Sequence, residues 1–117
     1  MAEMMNAALM YGPGDIRVEQ MPKPTCPPGG FVLRVDAVGL CGSDIRNLTT
    51  DSRKGDYPFI YGHYGATSVQ VQKAFELVID DKFPAEQVIS KVLPLSRIND
   101  AIELTRTGEA LRGVLVP

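Results

Sequence analysis

Glycine and proline are distributed unevenly along this chain, and that limits its fold more than any other feature. Of 117 residues, 11 are glycine and 9 proline, and most of both fall before Ala66. Proline removes a backbone donor and glycine opens positive φ, so the first half favours short strands broken by turns over long helices. After Gly65 the pattern turns helical. A strand-and-turn first part followed by a helix, strand, helix, strand second part is expected.

Within the first part, Met4-Met-Asn-Ala-Ala-Leu-Met10 is apolar and runs into Tyr11-Gly-Pro-Gly-Asp15, a dense turn signal. Asp15 to Met21 then alternates, with Ile16 and Val18 on one side and Arg17 and Glu19 on the other. The pair reads as a hairpin. Pro22 to Gly30 holds four prolines and two glycines and cannot lie inside a sheet or helix. Phe31 to Val38 alternates again, which predicts a second strand with Phe31, Leu33, Val35 and Ala37 on one face. Gly39-Leu-Cys-Gly-Ser-Asp44 breaks it, and Ser43 or Asp44 is placed to cap a short helical turn through Leu48.

In the second part, Thr67 or Ser68 is placed to cap a helix bearing Val71, Ala74, Phe75 and Val78 at i, i+3, i+4 and i+7. Phe83-Pro84 ends it. Val88 to Leu93 reads as a short strand. Ser96 is placed to cap a second helix with Ile98, Ala101, Ile102 and Thr105 on one face, closed by Gly108. Both helical stripes are expected to be core. Gly113 to Pro117 is a last strand. No Gly-x-Gly-x-x-Gly follows a strand and opens a helix, and no phosphate-loop lysine is present, so a dinucleotide-binding unit is not expected.

The 44% hydrophobic and 22% charged content is that of a globular domain rather than a disordered chain. A net charge of -2 gives no basic surplus for a phosphate backbone, which argues against nucleic acid. No apolar run approaches the roughly 20 residues of a membrane helix, and the first residues lack a signal peptide's basic and apolar regions. Two cysteines, Cys26 and Cys41, make no disulfide framework, so free thiols in the cytoplasm are expected.

Cys41 and His63, the only histidine, both follow strand-like apolar segments where a chain leaves a sheet. Zinc takes cysteine sulfur and histidine nitrogen, and catalytic zinc uses three protein ligands plus water. Asp44, three residues after Cys41, is placed to orient a ligating imidazole. Each residue also has a plainer reading. A single cysteine is commonly a small buried hydrophobe, Ser43 is a turn or cap residue, and Cys26 is an inert loop thiol. Arg46, Arg53 and Lys54 read as a solvated cluster, and Tyr57, Phe59, Tyr61 and Tyr64 as packing, with the lining of a substrate pocket as the alternative.

Taken together, Met5 to Glu19, Val35-Asp-Ala-Val-Gly-Leu-Cys-Gly-Ser-Asp44 and Tyr57-Pro-Phe-Ile-Tyr-Gly-His63 resemble the opening of a zinc-dependent medium-chain alcohol or polyol dehydrogenase. The segments Ala74 to Ile79, Val88 to Leu104 and Gly108 to Pro117 resemble that family's C-terminal return segment. The resemblance implies an α+β fold: a GroES-like, partly open β-barrel with two C-terminal helices and no Rossmann domain. It implies one truncated domain over 1–117, made of an N-terminal block 1–63 joined by internal deletion to a return block 64–117. By the same resemblance Cys41 and His63 match two metal ligands, Ser43 the hydroxyl that relays the substrate's proton, and Asp44 the carboxylate behind the metal. Tyr64 stands where the family has glutamate.

Three readings of function follow. The first is a residual catalytic domain whose parent oxidises an alcohol with NAD(P); alone it is expected to be inactive, to bind no NAD(P) and to hold zinc weakly. The second is a non-enzymatic GroES-like scaffold or self-association module. For both, a homodimer or larger homo-oligomer is expected, because lost neighbours leave apolar surface and strand edges to cover. The third, a small hydrolase or thiol enzyme built on a Cys41–His63 pair, lacks a recognisable oxyanion element.

Overall fold

The computed structural model describes residues 1–61 and 68–117. His63, Tyr64 and the cap expected at Thr67 lie outside the described residues. Strand β1 (Met4–Gly12) pairs antiparallel with β2 (Asp15–Pro22) from Met4 opposite Pro22 to Gly12 opposite Asp15. Gly14, at φ 73°, makes the reversal that a side chain would strain. The hairpin is the one the sequence predicts.

Strand β4 (Phe59–Ile60) completes this sheet on the other edge of β1, giving the order β2-β1-β4. As the middle strand, β1 is covered on both faces, and Ala7, Ala8, Leu9 and Met10 are all buried. This explains why the sequence there is an unbroken apolar run and not an alternation.

The second sheet also has three strands. Strand β3 (Val38–Gly39) pairs antiparallel with β6 (Gly113–Val116), which pairs in parallel with β5 (Lys91–Pro94). A parallel pair needs a crossover, and here it is a 3-10 turn (Leu95–Arg97) followed by helix α4 (Ile98–Thr107). Helix α4 ends at Gly108 in the left-handed conformation, φ 81°, as its sequence predicts.

Before them, α1 (Gly42–Thr49) follows β3 directly, while α2 (Ser68–Ile79) and the four-residue α3 (Ala85–Val88) precede β5. A single core joins both sheets and two helices: Ala8, Met10 and Ile16 meet Leu40, Leu48, Tyr61, Ile98, Ala101 and Leu115. None of the helices among the described residues is long and apolar enough to cross a membrane.

The mixed strand-and-helix class is therefore as expected, but the described residues form two separate three-stranded sheets and no closed barrel. Several local expectations are corrected. Of the strand expected over Phe31–Val38, only Val38–Gly39 forms, and Phe31 and Leu33 are 77% and 74% exposed. The reason is phase. Leu40 is buried in the core, so in a continuous strand the even positions would face inward and Phe31, Leu33 and Val35 would face out.

Strand β5 begins at Lys91, because α3 takes up Ala85 to Val88. Arg97, not Ser96, caps α4, since Ser96 lies within the 3-10 turn. The stripe on α4 is core as expected. The stripe on α2 is not, for every residue from Val69 to Ile79 is exposed. The radius of gyration, 15.6 Å, exceeds the roughly 13 Å of a compact chain of this length, consistent with an element left outside the core.

Candidate functional site

The Cys41–Asp44 segment sits where β3 leaves its sheet. Leu40 N–H donates to Gly113 O at 2.9 Å, and Arg112 Nη1 donates to Leu40 O at 3.1 Å, so the chain reaches Cys41 from a fixed direction. Cys41 then takes an extended conformation (φ -132°, ψ 174°) and caps α1. This corrects the expectation that Ser43 or Asp44 is the cap. Asp44 stands three residues later, and its Oδ2 accepts the Cys41 N–H at 2.7 Å. A carboxylate there satisfies a donor that the helix cannot and lies favourably at the positive end of its dipole.

Asp44 is buried, and its backbone oxygen accepts the Tyr61 hydroxyl at 2.6 Å. Burial, then the nearby Asp44 and Cys41, push the Tyr61 phenol well above its ordinary value, which keeps it a neutral donor. Cys41 is half-buried, with Sγ 2.7 Å from Ser43 Oγ. Either atom can be the donor. Thiol, hydroxyl and carboxylate are therefore gathered at the first turn of one helix, which Tyr61 ties to the end of β4.

The structure thus brings together Cys41, Ser43 and Asp44 of the residues singled out in the sequence. His63 lies outside the described residues. Cys26 is exposed in the proline-rich loop, apart from this cluster, as its reading as a loop thiol requires. Arg53 pairs with Asp56 at 2.8 Å and lies over the Phe59 ring, while Lys54 pairs with Asp51, so these cations are paired surface groups.

Two participants escaped the sequence reading. Tyr61 packs on the core, and its hydroxyl also anchors α1. Arg112 carries no sequence signal at all, because its partner is a backbone oxygen 72 residues away. Tyr57 and Phe59 do stack and pack on the core, and the buried Tyr57 hydroxyl has no hydrogen-bond partner among the described residues.

As a metal centre, the described residues fall short. No group of three or more histidine, cysteine, aspartate or glutamate side chains is placed to hold an ion among them. The Asp44 carboxylate already holds the Cys41 N–H. These donors do not by themselves fit a three-ligand zinc site.

The sequence is similar to sorbitol dehydrogenases from several organisms. It is 34% identical to that of Bombyx mori over 85 residues, 68% of this chain and 24% of the relative. It is 39% identical to that of Mus musculus over 74 residues, 60% of this chain and 20% of the relative. With that of Bacillus subtilis it shares 40% identity over 63 residues, 50% of this chain and 18% of the relative. The chain thus matches about a quarter or less of the length of these curated relatives. No protein-family model matches the chain. No solved structure matches it significantly.

Proposed function

We propose that this chain, which belongs to the zinc-dependent medium-chain polyol/alcohol dehydrogenase family, is a residual catalytic domain that does not oxidise an alcohol alone. The observation that carries this reading is the extent of the match. The chain is a polyol-dehydrogenase-derived fragment, similar to at most 24% of the length of the three relatives above. Its two sheets and α1 are a reduced form of the GroES-like fold, with the barrel left unclosed. The parent reaction is the NAD(P)-dependent oxidation of an alcohol, and the sequence has no glycine-rich loop to cradle a dinucleotide phosphate.

Cys41 and His63 are the residues we assign as metal donors. What this chain itself does at the site is positional. The Asp44 carboxylate fixes the Cys41 backbone, and Tyr61 fixes α1. Ser43 Oγ, beside the thiol, is the group able to hand on a proton. Two donors bind zinc weakly, and the Cys41 thiol must lose its proton to bind at all.

The test is metal analysis of purified protein alongside a dehydrogenase assay with a panel of polyols and NAD(P). Zinc well below one per chain and no turnover are expected, and any zinc present should be lost in both Cys41→Ser and His63→Ala. One zinc per chain that survives Cys41→Ser overturns the site. Turnover that Cys41→Ser abolishes overturns the inactivity.

A second reading, a cytoplasmic scaffold that associates with itself as a homodimer or larger oligomer, is favoured by a different observation. Large apolar side chains stand exposed in two places, Phe31, Leu33 and Val35 before β3 and Val71, Phe75 and Ile79 on α2. Surface of that kind is usually covered.

A further inference from the structure

We infer that residues 31–39 form the contact between two copies of this chain, pairing antiparallel about a twofold axis at Val35. The inference rests on the self-association reading above and is independent of metal and of dehydrogenase ancestry. In the order β3-β6-β5, β3 is an edge strand, and no strand of the described residues lies on its outer side. Ahead of it, residues 31–37 are exposed and outside regular structure.

Three features select one register. The first is the backbone. Leu40 N–H points at β6, where it donates to Gly113 O. Along an extended strand the N–H and C=O groups of even residues then face β6, and those of residues 31, 33, 35, 37 and 39 face the open edge. Centring the axis on Val35 sets Phe31 opposite Gly39, Leu33 opposite Ala37 and Val35 opposite itself, so every outward-facing group meets another.

The second is charge. Arg34 and Asp36 lie on the same side of the chain, where they pair at 2.8 Å. About Val35, Arg34 falls opposite Asp36 of the second copy, twice by symmetry. Centring on residue 34 or 36 instead sets Arg34 against Arg34 or Asp36 against Asp36, which is repulsive. Centring on Leu33 leaves both charges facing uncharged residues.

The third is the apolar face. Phe31, Leu33 and Val35 cannot reach the core of their own chain, because their phase is opposite to that of Leu40. Across the dimer they become cross-strand neighbours on that outer face, with Phe31 lying over Gly39, which has no side chain of its own. The two sheets become one of six strands, and two exposed edges disappear.

Sedimentation equilibrium over a wide concentration range tests this, with circular dichroism to confirm that each variant folds. A wild-type dimer is expected. Val35→Pro, which removes the central backbone donor, should be monomeric. Arg34→Asp should weaken the dimer at least about tenfold, and Arg34→Asp combined with Asp36→Arg should restore it. A dimer that persists in Val35→Pro, or a charge swap that fails to rescue, overturns this surface and leaves self-association standing. A wild-type monomer at every concentration overturns both.

Discussion

Helices α2 and α4 carry nearly the same apolar period and meet opposite fates. In α4, Ile98 and Ala101 are 2% and 1% exposed; in α2, Phe75 at the centre of the stripe is 67% exposed. What separates them is connection. Helix α4 joins β5 to β6, two neighbours in one sheet, so the crossover must lie on that sheet and bury the face it presents. Helix α2 follows β4 of the first sheet and precedes β5 of the second, and no such constraint presses it against either. An amphipathic period states which face is available for burial. The strands on either side decide whether burial happens. Between these extremes lies α1, which buries Leu48 and is held mainly by polar contacts at its first turn.

The comparison breaks if matched truncations cost the same. Ile98→Ala should destabilise by about 2–5 kcal/mol, through lost burial and the cavity left behind. Phe75→Ala should stay within about 0.5 kcal/mol, as a surface change does. Urea unfolding monitored by circular dichroism checks both, and a large loss in Phe75→Ala would show that α2 is covered in solution.

The intermediate standing of α1 is sharpened by Asp44→Ala, which removes the acceptor of the Cys41 N–H. A loss of about 1–2 kcal/mol is expected, with Asp44→Asn costing less because an amide oxygen still accepts. Unfolding midpoints equal to wild type would mean the cap contributes nothing.

Below Asp44→Ala stands Tyr61→Phe, at about 1 kcal/mol for one hydrogen bond, and its pH dependence identifies it. The folded phenol ionises above the ordinary 10.0 of the unfolded chain. Its contribution is therefore whole below pH 10 and declines as pH rises toward the folded value. Above pH 10 the wild type should lose stability faster than Tyr61→Phe, and parallel curves in thermal melts would remove Tyr61 from the account.

How much was legible in the sequence follows from the range of each interaction. The hairpin was readable because turn, alternation and partner are all local. The C-terminal close of α4 at Gly108 was readable for the same reason. The alternation over Phe31 to Val38 predicts a strand that forms only at Val38–Gly39, because period alone does not reveal that its phase disagrees with Leu40. At α1, cysteine occupies the position where serine or threonine would have announced the cap, and the signal was the acid three residues on. Arg112 was invisible, since its contact with Leu40 exists only once the sheet has formed. The pairing of Cys41 with His63 rests on sequence resemblance, while the structure supplies the Cys41, Ser43 and Asp44 cluster.

The second sheet has its middle strand last in chain order. A ribosome delivers Val38–Gly39 and Lys91–Pro94 before Gly113–Val116, and neither can pair there until β6 arrives between them. The hairpin can form early from neighbouring residues, whereas the second sheet closes in one late step that draws residues 38–39 and 91–94 onto the last strand together.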